Sequence, residues 1–130
     1  MSKNNLPQGL YYNKDYSWLK LDGDVATLGV VGPAAERVQE FVFIKLPKTG
    51  QSIKAGDTYA SVEAVKWSGH LSSPVSGEVV EVNEELFDEP STINQDPYGE
   101  GWIAKIKMSN KKELENLAGT DEAEKWYGDK

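Results

Sequence analysis

The sequence predicts a mainly β protein of two packed antiparallel sheets, with short helices at its periphery and C-terminal end. Three observations predict it. Apolar and polar residues alternate in several short runs, most clearly Trp102-Ile103-Ala104-Lys105-Ile106-Lys107-Met108 and Trp18-Leu19-Lys20-Leu21. Glycine- and proline-containing turns punctuate these runs at short intervals. Helix-like patterns are brief and fall between the strands or after residue 110.

Taken in order, residues 1–10 are polar and predicted to be a flexible leader, with one domain over residues 11–130. An aromatic-rich segment from Tyr11 leads into the strand Trp18–Leu21. Asp22-Gly23-Asp24 turns it into Val25–Val31, a hairpin. Gly32-Pro33 opens a short helix over Ala34–Gln39, since a proline fits the first helical turn. Phe41-Val42-Phe43-Ile44-Lys45-Leu46 is a continuous apolar run, predicted as a strand buried on both faces and stopped by Pro47 and the Lys48-Thr49-Gly50 turn.

Ser52–Gly56 reads as a short strand and turn, and Thr58–Glu63 enters a hairpin that Leu71–Pro74 leaves. Gly77–Asn83 alternates, with Val79 and, after a one-residue slip, Val80 and Val82 pointing inward. The acidic stretch Glu84–Ile93, interrupted by Pro90, allows one or two helical turns before a loop. Trp102–Met108 is the last strand. Ser109-Asn110 can cap a helix through Leu117, and a further helix is predicted over Glu122–Tyr127.

Bulk properties exclude several classes of function. At 130 residues the chain can bury a substantial core. Its formal charge is −7 and its longest basic tract is Lys111-Lys112, so a nucleic-acid-binding face is not expected. Cysteine is absent, which removes disulfides, thiolate metal sites and cysteine nucleophiles. His70 is the only histidine, so a histidine triad or multi-histidine metal site is unavailable. No signal peptide or transmembrane run is visible. The expectation is a monomer in the cytoplasm with no membrane or nucleic-acid partner.

The segment most suggestive of function is Ser61-Val62-Glu63-Ala64-Val65-Lys66-Trp67, followed by Ser73-Pro74-Val75-Ser76-Gly77-Glu78-Val79-Val80. Two apolar strands surround a turn-rich middle, and one lysine stands at the junction. Gly56 lies ten residues before Lys66 and Gly77 eleven after it, which suggests two matching halves folded about the lysine. Pattern alone gives a β-hairpin presenting a lysine, and most lysines in proteins are solvated surface charges.

Glu63-Ala64-Val65-Lys66 with Ser73–Asn83, Leu46-Pro47 with Gly50, and Asn94-Gln95-Asp96-Pro97-Tyr98-Gly99-Glu100-Gly101-Trp102 together resemble the glycine cleavage system H-protein family over roughly residues 11–118. The resemblance implies a lipoyl-type barrel-sandwich hybrid fold and a carrier without catalytic activity, in which Lys66 bears lipoate in amide linkage. Biotin is the rival cargo at a lysine hairpin, but its domains typically flank the lysine with methionines, and Val65 and Trp67 stand here. Glu63 and Gly77 match positions resembling those read by the lipoylating enzyme; as plain structure they are a strand-edge carboxylate and a turn glycine that could take φ > 0. The implied partners are a lipoate ligase or lipoyl transferase, a lipoamide dehydrogenase-type enzyme, and the enzymes between which the arm shuttles.

Three stretches of the chain depart from the family pattern. Tyr16-Ser17-Trp18 replaces a His-Glu-Trp run, His70 replaces a common aspartate, and Lys45 stands where a glutamate is usual. An aminomethyl cargo is a cation, and carboxylates would strengthen its hydrogen bonds; here negative charge is reduced. Tyr16, Ser17, Trp18, Trp67 and His70 are therefore candidates for lining an arm cleft. Their charge favours sulfur intermediates of a heterodisulfide-reductase-like complex, as in a lipoate-binding branch linked to sulfur oxidation. The runner-up is the aminomethyl group of glycine cleavage, and neutral drift at exposed positions would explain the same changes. A third reading, from another class, is an unmodified β-sandwich interaction module. The run Asp96–Trp102 is expected to have packing and turn roles, and Glu113–Glu124 to form a solvated helical face.

Overall fold

The computed structural model describes residues 9–13, 17–32, 34–35, 40–65, 67–119 and 122–123. Its strands are β1 (Tyr11–Tyr12), β2 (Ser17–Asp22), β3 (Val25–Val30), β4 (Phe41–Lys45), β5 (Ser52–Ile53), β6 (Thr58–Ala64), β7 (Trp67–Ser72), β8 (Gly77–Val82) and β9 (Ala104–Met108). They form a six-stranded sheet in the order β1-β2-β3-β9-β8-β5 and a three-stranded sheet β4-β6-β7. Every pairing is antiparallel. Two one-turn helices, α1 (Glu85–Asp88) and α2 (Thr92–Gln95), flank Pro90, and a 3₁₀ segment runs over Lys111–Asn116.

Alternation sets the inward faces. Leu19, Ala26, Leu28, Val79, Ala104 and Ile106 from the larger sheet meet Ile44, Tyr59, Val62 and Leu71 from the smaller, all nearly inaccessible to solvent. Burying such side chains contributes roughly 1.5–3 kcal/mol each for the larger aliphatics. The β2–β3 hairpin closes through Gly23-Asp24, with Gly23 at φ 66°, the left-handed region glycine enters without steric cost. A satellite cluster of Tyr12, Trp18, Val31, Ala118 and Ala123 lies on the opposite side of β2. Tyr12 and Ala118 exchange backbone hydrogen bonds of 2.9 Å, tying the C-terminal segment to β1.

Four sequence expectations change. β4 is covered on one face only: Phe41 and Ile44 are buried, whereas Val42 and Phe43 are half exposed. It is an edge strand of a small sheet, and its register shifts between Phe41 and Phe43. Val80 faces out at 40 % exposure, because the slip in β8 falls between Val79 and Glu81 and Val80 is the residue it displaces. The helix expected over Lys111–Leu117 is a 3₁₀ segment, capped by Asn110 Oδ1, which accepts from Lys112 N–H. Glu113 within it is not a solvated side chain but is bonded to Ser76. The helix expected over Ala34–Gln39 falls mostly outside the described residues, as does that over Glu122–Tyr127, of which Glu122 and Ala123 are helical.

Candidate functional site

The central feature is a pair of nested hairpins. Ala64 pairs with Trp67, and the ladder continues through Glu63↔Ser68, Val62↔Gly69 and Ser61↔His70. Outside it, β5 pairs with β8 through Ser52↔Glu78 and Ile53↔Gly77. The inner pairing belongs to the small sheet and the outer to the large one, yet both are centred at Val65 or the Val65–Lys66 bond. A register shift between Thr58 and Ala60 absorbs the half-residue difference.

Local chemistry fixes the crossing between sheets. Gly56, at φ 93°, donates its N–H to Ser73 O at 2.8 Å, and Ser73 N–H donates to Asp57 O at 2.8 Å. Ser73 Oγ, buried, donates to Val75 O at 2.6 Å. Ser76 uses all its groups: its N–H and hydroxyl donate to the two oxygens of Glu113, its hydroxyl accepts from Ala55 N–H, and its carbonyl accepts from Ser109 N–H. Charge-assisted bonds of this kind are roughly twice as strong as neutral ones.

The predicted site residues scatter over this frame. Lys66 and Tyr16 lie outside the described residues, as does the side chain of Trp67. Val65, beside Lys66 in the loop, is 67 % exposed. Glu63 is exposed on β6, on the same outer face as Ser61 and His70. Gly77 stands in the other sheet, between Ile53 and Met108, and is not brought together with Glu63. Its φ is not positive, contrary to the turn role expected of it. It is glycine because a Cβ would lie 2.1 Å from the carbonyl oxygen of Lys107.

Ser17 and Trp18 are buried completely or nearly so. The Ser17 hydroxyl lies 3.2 Å from the Tyr59 hydroxyl, and Ser17 N–H donates to Asn13 Oδ1. Trp18 Nε1–H donates to Pro97 O at 3.0 Å, and its ring lies tilted against that of Tyr98, with centroids 5.9 Å apart. Neither side chain is left to wall an open cleft. A carboxylate at position 17 would have to be desolvated in the core, so serine there says nothing about accessible charge. The Asp96–Trp102 run does pack and turn. Asp96 Oδ2 accepts from Glu100 N–H, and the Tyr98 hydroxyl accepts from Gly32 N–H. Burial raises the Tyr98 phenol to about 12, with the Gly32 bond acting in the opposite direction.

Reasoning from sequence missed Ser61, whose Oγ lies 2.8 Å from His70 Nδ1. The signal was present, since residues 61 and 70 are equidistant from the Val65–Lys66 bond. It also missed Glu113. The end of the β6–β7 hairpin, where Val65 is exposed, is a fitting place for a covalently attached arm.

The family model described as glycine cleavage H-protein matches residues 10–130. The chain belongs to this family. The glycine cleavage system H protein of Carboxydothermus hydrogenoformans is 42 % identical over 120 residues, which is 92 % of each chain. That of Halothermothrix orenii is 42 % identical over 118 residues, 91 % of this chain and 92 % of the relative. A crystal structure of the H protein from Mycobacterium marinum superposes with a TM-score of 0.82 at 32 % identity, covering 90 % of this chain and 94 % of that one. The two sheets are thus those of the barrel-sandwich fold. H proteins are non-catalytic carriers with lipoate attached covalently to a lysine, and this chain is such a carrier.

The preference for sulfur cargo finds no support here, since these relatives are all glycine cleavage system H proteins. A heterodisulfide-reductase-like partner is likewise unsupported. Of the three charge departures that motivated it, Ser17 is inaccessible, while Lys45 and His70 are exposed. No helix among the described residues is long and apolar enough to cross a membrane.

Proposed function

We infer that this chain is the aminomethyl carrier of a glycine cleavage system, with lipoate joined to Lys66 through an amide. The observation that supports the reading is the Ala64–Trp67 pair with the exposed Val65 between them, flanking the position where the family motif places its modified lysine. Lipoate, when bound, supplies a disulfide that opens to take up a group and closes again on reoxidation.

The residues of the chain supply placement. Amide formation removes one positive charge, taking the formal charge one unit below −7. Glu63, two pairs' depth from the loop and exposed, is the side chain a lipoate ligase or lipoyl transferase would read beside Lys66. Gly77 acts at a distance, by letting β8 lie close against the Lys107 carbonyl and so setting the root of the hairpin. The partners are glycine decarboxylase, aminomethyltransferase and a lipoamide dehydrogenase-type enzyme.

The test begins with intact mass after expression in a lipoylating host. A gain of one lipoyl group, absent in Lys66→Arg, supports the attachment site; no gain, or a gain that survives the substitution, overturns it. The loaded protein is then given glycine and glycine decarboxylase. Aminomethyl loading at a rate comparable to that of an established H protein supports the cargo, and failure to load refutes it.

A further inference from the structure

An open groove of about 600 Å³ lies where the end of β8, the start of α1 and the loop after α2 meet. Glu81, Glu84, Glu85, Asp96 and Glu100 line it, and all five are exposed. Exposed acids are ordinary in a chain of formal charge −7, and alone they would be a solvated face.

Asn83, which also lines the groove, is of another kind. It is only 6 % exposed. Its Nδ2 donates to Glu100 O and to Trp102 O, both at 2.8 Å. Two carbonyls can be met only by the NH2 end of the amide, so its orientation is fixed and Oδ1 is the opposite end. Oδ1 has no hydrogen-bond partner among the described residues. Every inaccessible polar side-chain atom among those residues does have one, so Oδ1 opens onto the groove. A rigid and nearly buried acceptor of this kind calls for a donor from outside.

The lining indicates what that donor is. Of the polar side chains in the groove only the Trp102 indole can donate, since both Asn83 donors are used internally. The chain places one cation at the rim: Lys105 Nζ lies 3.6 Å from Glu81 and 5.1 Å from the centroid of the Trp102 ring. Glu84, Glu85, Asp96 and Glu100 have no ion-pair partner among the described residues. No three acids among those residues are grouped as a metal ion requires. A guanidinium fits better. It is planar and carries five N–H donors, so it can give to Oδ1 and to separated carboxylates together.

The same segment braces the hairpin that ends beside Lys66. α1 packs against β4, Asn94 Oδ1 in α2 accepts from Phe41 N–H at 2.9 Å, and Phe41 pairs with Ala64. We propose that the groove receives an arginine side chain from an enzyme that acts on the arm, with Asn83 Oδ1, Glu84 and Glu100 as its acceptors. The proposal rests on the reading of this chain as a lipoyl carrier. No bond forms or breaks. The fixed amide oxygen gives the contact direction, and the surrounding carboxylates draw a basic surface in from a distance.

Two measurements on the full chain test it. In the first, the side-chain amide of Asn83 is followed by NMR in the unmodified protein during titration with N-acetylarginine amide, N-acetyllysine amide and calcium ions. Arginine should shift it at about threefold lower concentration than lysine, and calcium should leave it in place. No response to arginine, an equal response to lysine or a response to calcium overturns the proposal.

In the second, lipoylated Glu84→Gln/Glu100→Gln is compared with wild type and with Glu78→Gln/Glu115→Gln. The latter pair removes the same charge from exposed positions outside the groove. Each is offered to glycine decarboxylase, aminomethyltransferase and the lipoamide dehydrogenase-type enzyme. With at least one of them the KM of the groove variant alone should rise about three- to tenfold at unchanged kcat. The difference should vanish near ~1 M salt, where screening reaches about 3 Å. Equal KM values for the two double variants with all three enzymes overturn the proposal and leave Lys66 as the attachment site. Absence of the lipoyl mass from the wild type refutes the carrier reading instead, and that mass is measured before any assay.

Discussion

Glu113 holds Ser76 with both carboxylate oxygens, Oε1 2.6 Å from the backbone nitrogen and Oε2 2.7 Å from the hydroxyl. The 3₁₀ segment near the C-terminus is thereby fastened to the turn that leads into β8, thirty-seven residues earlier in the chain. Replacing Glu113 by alanine leaves two donors of Ser76 without this acceptor. The expected cost is about 1–3 kcal/mol, measured by chemical denaturation. Glu113→Gln, which keeps an acceptor, should cost less.

Gly77→Ala and Glu63→Gln should separate structure from recognition. The alanine Cβ would lie 2.1 Å from the Lys107 carbonyl oxygen, which is backbone and can yield only if β8 and β9 part. Destabilisation of about 2–3 kcal/mol is expected, in the range of core overpacking. Glu63 is exposed, so its substitution should change stability by no more than about 0.5 kcal/mol. If the ligase reads it, the initial rate of lipoylation should nonetheless fall. Equal lipoylation rates would remove Glu63 from the recognition set.

Trp18 and Gly29 face each other across β2 and β3, and a Cβ on Gly29 would sit 2.5 Å from the indole ring. In Gly29→Ala the ring must shift, taking Nε1 away from Pro97 O. A loss of about 1–3 kcal/mol is expected, combining overpacking with an unpaired carbonyl. Faster hydrogen exchange confined to residues 96–102 in the variant would locate the damage in that loop.

Tyr98 gives the molecule an alkaline limit. Its phenol is raised to about 12 by burial, against 10.0 for the ordinary group. Below pH 10 both folded and unfolded chains keep the proton. Between pH 10 and about 12 the unfolded chain releases it first, so stability falls as pH rises through that window. Tyr98→Phe should lower stability at neutral pH, because Gly32 N–H loses its acceptor, and should flatten the alkaline decline. An unchanged alkaline slope in the variant would assign that decline to other groups.

Much of the β architecture was legible in the sequence because alternation and turn residues are local. Gly23-Asp24 closes a hairpin where a turn was expected, and the Ala64–Trp67 pair ends the central one; Gly56 and Gly77, expected to mark its matching halves, are not opposite each other, since Gly77 pairs with Ile53. What failed depends on distant neighbours. A continuous apolar run such as Phe41–Leu46 reads the same whether one face or two are covered, and only the small size of its sheet exposes Phe43. Ser17, Trp18 and Leu19 are all buried because β2 lies between two clusters, with Leu19 facing one and Trp18 the other. A three-residue motif cannot announce that, so a charge argument built on Ser17 was applied to a residue no ligand touches. Glu113 looked like one more surface acid until the turn at Ser76 was brought to it.

The shared centre of the two hairpins has a mechanical consequence. Because one ladder is stitched into the small sheet and the other into the large, a pull or twist applied at Val65 by a docking enzyme is divided between both layers. The mast does not bend separately from the hull. On the proposed attachment at Lys66, the travel of the shuttle comes from the flexible tether and not from the hairpin.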